Sequence, residues 1–241
     1  KDGFFGDQNS VDVSLNGFDP RITLGSGWAV DSGLSAIFGG RFIIGQSAAS
    51  GKLAFTPATS FTKFRYWYPT LSGLNSAVGV YVDGALIDTI NQNAAAGFTY
   101  KDYTVSSGTH TIEFGVGGGA GNGFVAGVEI FDGTDKPVLL QGGICGGKSA
   151  DFNTSTSAWN YKSSLPNLAP DFTIIYCTIN DSDNSVSNST YYTNIENLVK
   201  AVPNSNGCLC VGYPYNSNKN IDGTIDDYAR ILKNIARYDS C

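Results

Sequence analysis

The chain has 241 residues, enough for two modest domains that each bury a core of their own. Its formal net charge is −6 with only 15% charged residues, which leaves no basic stripe for phosphates or anionic lipid and argues against nucleic acid and membrane surfaces as partners. No run approaches the roughly 18 apolar residues that a membrane-crossing helix needs, and no basic stretch precedes an apolar one at the start, so neither membrane insertion nor an export signal is expected.

The first predicted strand is Phe4-Phe5, which runs into Gly6-Asp7-Gln8-Asn9-Ser10. From Phe64 to Tyr68, Val78 to Val82, Tyr100 to Val105, Thr109 to Val116 and Phe124 to Phe131, short runs rich in aromatic and β-branched residues follow one another. Asp83-Gly84, Ser107-Gly108 and the glycine cluster from Gly115 to Gly123 punctuate them, and Asp-Gly between apolar runs is a strong hairpin signal. With 30 glycines in the chain and no helical period here, this part is expected to be an antiparallel sandwich or jelly roll. Alternation points Phe64, Tyr66 and Tyr68 into the core and Arg65 and Trp67 outward; an outward indole either offers a sugar a stacking platform or covers a neighbouring domain. The single histidine, His110, falls in a sandwich strand, where a structural cross-strand role is expected.

Texture changes near Gly133-Thr134-Asp135-Lys136-Pro137, a candidate domain boundary. Val138-Leu139-Leu140 and Phe172 to Cys177 are near-continuous apolar runs, predicted as strands buried on both faces of a parallel sheet. Between Asn180 and Thr190 lies a Ser/Asn-rich loop. Its Asp181, Asp183 and Asn184 read as a solvated turn, because the glycine and distal glutamate of a calcium loop are missing. Glycosylation triplets at Asn153 and Asn188 carry little weight. Ile195, Leu198, Val199 and Val202 form one helical stripe, and Ile225, Tyr228, Leu232 and Ile235 form another that Thr224 and Asp227 are placed to cap. Strands alternating with helices predict a three-layer α/β unit. The five cysteines are odd in number, which argues against a full disulfide framework. Cys208 and Cys210 alternate in a strand-like stretch, so they are expected on one side of a sheet as buried small hydrophobes. Neither a neighbouring histidine nor a CxxC pair suggests a metal.

Taken in order, these motifs resemble the SGNH (GDSL-type) hydrolase family. Pro170 to Asp181 is similar to the family's third block, a buried strand running into Gly-x-Asn-Asp, with Thr178 where the family prefers glycine. The resemblance implies that Asn180 donates to a developing oxyanion; on the residues alone, Asn and Asp that merely turn the chain remain an equal reading. Val138 to Asp151 looks like the second block, which implies that the Gly146 backbone N–H is the other donor. Phe4 to Ser10 resembles the first block. There the sequence departs from the family, because Gln8 occupies the nucleophile position and an amide cannot be activated to attack an ester. Asp7, beside it, is implied to contact substrate. The fourth block, Asp-x-x-His, is absent, so the sequence holds no Ser-His pair.

The resemblance implies an α/β fold: an incomplete flavodoxin-like three-layer SGNH domain interrupted by an antiparallel, jelly-roll-like β-sandwich. The first strand and its turn would occupy 1–18, the insertion 19–136 and the rest of the α/β domain 137–241. Such an insertion resembles the deacetylases of bacteriophage tailspikes and tail fibres. That likeness implies a carbohydrate O-deacetylase module acting on O-acetylated bacterial surface polysaccharide, without cofactor or metal, located on a virion appendage or an extracellular surface. Trp67 and Arg65 would bind glycan, and a homotrimer rests on analogy alone. Three explanations of the missing side chains stay open: a fragment, a deliberate replacement of the nucleophile, or a scaffold that only binds. The alternative class is a non-catalytic glycan receptor-binding module, and a third is a structural appendage protein in which the loops at Gly146 and Asn180 do not converge.

Overall fold

The computed structural model describes residues 3–5, 20–30, 42–47, 49–73, 76–117, 121–133, 147–202, 207–210 and 222–238. The chain divides into two compact units, Lys1–Cys145 and Gly146–Cys241.

In the first unit the strands are β1 (Gly3–Phe5), β2 (Ile22–Leu24), β3 (Trp28–Val30), β4 (Ile43–Gly45), β5 (Lys52–Phe55) and β6 (Phe61–Thr70). They continue as β7 (Ala77–Val82), β8 (Ala85–Asn91), β9 (Gly97–Gly108), β10 (Ile112–Val116), β11 (Gly123–Val125) and β12 (Gly127–Phe131). They form three antiparallel sheets in the orders β1-β12-β6-β9, β2-β5-β10-β7-β8 and β11-β4-β3. Alternation builds the core between the two larger sheets. Phe64, Tyr66 and Tyr68 of β6 and Val128 and Ile130 of β12 meet Leu53, Phe55, Val78, Val80, Ile112 and Phe114 from the other sheet. Tyr66 packs on Phe114 with ring centroids 4.5 Å apart.

Asp83 and Gly84 turn β7 into β8 with φ of 51° and 83°, both left-handed, as a two-residue turn matched to strand twist requires. Further along β8 the register slips: Val80 pairs with Asp88 but Tyr81 with Leu86, which leaves Ile87 as the extra residue of a bulge. The apolar run Phe124 to Phe131 is two strands, not one. It changes sheet at Ala126, β11 pairing with β4 and β12 with β6.

The second unit contains α1 (Ser149–Phe152), α2 (Tyr161–Leu168), β13 (Thr173–Ile175), α3 (Thr178–Asp183), α4 (Asn188–Ala201), β14 (Gly207–Leu209) and α5 (Asp222–Tyr238). Ser187 caps α4, its hydroxyl accepting from the Thr190 N–H at 3.2 Å. The inward stripe of α4 is Tyr191, Ile195 and Leu198, and that of α5 is Tyr228, Leu232 and Ile235; together with Cys177 they form one core. Tyr191 stacks on Tyr228, centroids 3.9 Å apart and planes 14° apart. Asp227, expected as a cap, lies inside α5 and pairs with Arg230 and with the Asn188 amide instead.

The flavodoxin-like three-layer α/β architecture is not what the described residues form. The chain is strand-rich and antiparallel, and the one parallel pairing among the described residues is the two-stranded β13–β14 ladder. The N-terminal strand does not open a parallel sheet, since Gly3–Phe5 hydrogen-bonds antiparallel to β12. Nor is β13 buried on both faces. Phe172, Ile174 and Tyr176 are 58, 60 and 50% exposed, while Ile175 packs on the α4–α5 core. A strand sandwiched between two helical layers would bury both sets. The run Val138-Leu139-Leu140 lies outside the described residues.

Candidate functional site

β13 ends at Ile175, and three residues later the chain enters α3 with Thr178, so Asn180 and Asp181 fall in the first turn of that helix. The Asn180 side chain donates from Nδ2 to the Gly147 carbonyl at 3.0 Å. Its neighbour grips the same turn more firmly. Asp181, fully buried, accepts the Ser149 N–H at 2.7 Å on one carboxylate oxygen and the Ser149 hydroxyl at 2.5 Å on the other. Asn194 of α4 donates to that hydroxyl at 2.9 Å, and Asn153 donates to the Asn194 carbonyl at 2.9 Å. Lys148 precedes α1, and its N–H is taken by Asp151 at 2.8 Å. The start of α1 is thereby locked to the start of α3.

Burial raises the Asp181 carboxyl above its ordinary range, and the two bonds from Ser149 pull in the opposite direction. Cys177, just ahead of α3, is pushed up to about 12 by burial and stays an inert thiol in the core. Asp181 was expected in a solvated turn; it is buried in a helix, as is Ser182 beside it. The reason is that Asp181 serves two donors of another segment, which a sequence reading confined to its own loop misses. The sequence signal was the second, acidic letter of Asn180-Asp181. The two triplet asparagines are likewise occupied: the Asn153 amide donates to Asn194 and the Asn188 amide to Asp227.

On β6 the outward face is not an open platform. Trp67 is 2% exposed, with Phe98 stacked on it at 5.5 Å, Tyr100 tilted against it at 4.7 Å and its Nε1 donating to Glu129 at 2.9 Å. Arg65 is bound by Asp102 through two bonds, at 2.7 and 3.0 Å, and its guanidinium lies 3.7 Å over the Tyr100 ring. The bond to Asp102 raises the Arg65 pKa still further. Of the two readings left open for Trp67, the open stacking platform is not the one the described residues form, and the outward Arg65 is held within the sheet. Cross-strand partners on β9 and β12 that the β6 pattern does not reveal cover both. Tyr100, 41% exposed, is the aromatic that this face does present.

His110 ties two turns together. Its Nδ1 lies 2.6 Å from Asp83 and its Nε2 3.0 Å from the Ser106 carbonyl, and the ring stands edge-on to Phe61 at 5.5 Å. Both partners are acceptors, so the doubly protonated ring satisfies both; the Asp83 bond, then the Ser106 bond, raise its pKa. Both ring nitrogens are committed, which leaves neither for general-base work. Asp7, Gln8 and Gly146 lie outside the described residues, as do Cys145 and Cys241.

Neither a protein-family profile nor a curated protein matches the chain. Among solved structures, a peptidoglycan O-acetylesterase aligns over 97% of this chain and 67% of its own, with 14% identity and a TM-score of 0.62. A family 35 carbohydrate binding module from Clostridium thermocellum aligns over 46% of this chain and 93% of its own, at 17% identity and a TM-score of 0.36. Another, from Paenibacillus barcinonensis, aligns over 54% and 98%, at 12% identity and 0.39. At this identity, the likeness to the esterase is one of fold.

Proposed function

We propose that this chain is a carbohydrate O-acylesterase-type module directed at O-acetylated bacterial surface polysaccharide. The observation that carries the reading is the convergence of two loops: Asn180 meets Gly147 at 3.0 Å while Asp181 clamps Ser149. These are the segments that the motif order assigns to oxyanion binding, and the fold likeness to a peptidoglycan O-acetylesterase supports it. The Asn180 amide has a second N–H besides the one given to Gly147. That N–H and the Gly146 backbone N–H are the donors that would meet an ester carbonyl oxygen as it gains charge. Asp181 touches no substrate in this scheme; it positions the turn. A virion appendage or an extracellular surface is the setting we assign, on the resemblance of the inserted sandwich.

A second reading, a glycan receptor-binding module that holds acyl sugars without cleaving them, is favoured by Gln8 at the nucleophile position and by the double engagement of His110. One experiment separates them. The chain, its Asn180→Ala variant and its Gln8→Ser variant are each titrated with an O-acetylated bacterial polysaccharide and with the same polymer after saponification, and released acetate is measured in parallel. Tighter binding of the acetylated polymer, reduced about tenfold in Asn180→Ala (about 1.4 kcal/mol), is expected under both. Acetate release that appears or rises in Gln8→Ser supports the esterase, and acetyl-dependent binding with no release by any variant, even with imidazole added as an external base, supports the receptor. Equal binding of the two polymers by the unaltered chain overturns both.

A further inference from the structure

Beside the α3 turn that carries Asn180, two nucleophilic side chains already touch. β14 and the residue after it carry Cys208 and Cys210 on one side, their sulfurs 3.7 Å apart. Cys208 is exposed and Cys210 half-buried, so neither is the buried packing residue that the sequence suggested; Cys177 fills that role in the core. Two residues of strand separate Cα atoms by about 6.6 Å, inside the upper end of the span that a disulfide bridges. β14 ends at Leu209. Cys210 stands just beyond the ladder, held by its N–H on the Ile175 carbonyl at 2.9 Å and by the Thr178 hydroxyl on its own carbonyl at 3.3 Å. Closing the bridge from 3.7 Å takes rotation of both side chains together with a bend of the backbone at Leu209 that draws the Cβ atoms to about 4 Å.

The geometry points to Cys208 and Cys210 as a redox-active dithiol, closed into a disulfide by low-molecular-weight disulfides and reopened by thiols. The Cys208 thiolate attacks one sulfur of the external disulfide, forming a mixed disulfide and expelling one thiolate. Cys210 then attacks the Cys208 sulfur, forming the intrachain bond and expelling the second. Two protein thiols are oxidised, one external disulfide is reduced to two thiols, and the two cysteine protons end on the departing sulfurs. Cys208 is exposed and Cys210 half-buried, which fits Cys208 as the first nucleophile and Cys210 as the resolving thiol.

The test is to incubate the reduced chain with oxidised glutathione, alkylate the remaining thiols and map the peptides by mass. The peptide spanning Cys208 and Cys210 is expected to lose two hydrogens, to take up no alkylating agent and to regain both sites after dithiothreitol. In Cys210→Ser, the adduct of glutathione on Cys208 is expected to persist, because the resolving sulfur is gone. Cys177, buried, is expected to stay unmodified in both. Three outcomes each overturn the proposal: a lasting glutathione adduct on Cys208 in the unaltered chain, alkylation of both cysteines after the incubation, or a bridge from either to Cys145 or Cys241.

Discussion

Asn180 and Trp67 show what a single side chain's letter does and does not disclose. Asn180 was legible because an apolar strand running into Asn-Asp is a local pattern, and the structure brings it to the Gly147 turn. Trp67 was left with two readings because period-two alternation fixes which side of a sheet a residue is on, not what lies over that side. Phe98 and Tyr100, more than thirty residues along the chain, cover it. His110 was read correctly as structural, and its pairing yields a pH prediction. The folded His110 pKa is raised, so its contribution is complete below about pH 6.5 and is lost as pH rises through the folded value. The Asp83 pKa is lowered, chiefly by the bond to His110, so its contribution holds above the ordinary carboxylate range and is lost as pH falls through the folded value. Between about pH 4 and pH 6.5 both are present. The melting-temperature gap between the chain and His110→Ala should therefore be wider at about pH 5.5 than at about pH 8.5. A gap that does not vary with pH would mean that only the contact with Phe61 matters.

Among the elements, the long strands and the two long helices were legible, and the short strands β2, β3 and β4 were not. β6, β7 and β9 carry enough alternating or β-branched residues to announce themselves, and Asp83-Gly84 marked a real hairpin. β2, β3 and β4 are three residues each, too short to show a period, and pairing to neighbours makes them strands. The break at Ala126 has its own cause. Gln92, fully buried after β8, accepts the Phe124 N–H at 2.9 Å and donates to the Phe124 carbonyl at 2.7 Å and to the Tyr66 hydroxyl at 2.8 Å. A side-chain amide thus supplies the pairing that a strand backbone would. Gln92→Leu keeps the bulk and strands the Phe124 N–H, and equilibrium urea unfolding should show a loss of about 2–3 kcal/mol. A loss under about 0.5 kcal/mol would show that Phe124 finds another partner.

At the scale of the whole molecule, composition and the change of texture suggested two bodies; among the described residues one core gathers around Phe64, Tyr66 and Phe114 and another around Tyr191, Leu198 and Tyr228. The layering of the second was misjudged. The run Phe172 to Cys177 is as apolar as a central strand, yet its outward residues stay exposed, and apolarity alone does not say how many faces are covered. Because no described residue belongs to both cores, Leu198→Ala should destabilise its own unit by about 2–5 kcal/mol. Native-state hydrogen exchange at Phe64, Tyr66 and Phe114 should be unchanged in that variant; faster exchange there would show that the cores unfold as one.

The bulge in β8 bears on how the chain behaves in a crowd. β8 ends its sheet, and among the described residues no strand pairs beyond it, while Leu86 and Ile87 are 57 and 45% exposed along it. An open, apolar strand edge is a template on which a second copy can add a strand, then a third, into a fibre. The supernumerary Ile87 breaks the even spacing of donors and acceptors along that edge, so an incoming straight strand meets them out of step. One misplaced residue thereby guards the chain against polymerising through its own sheet.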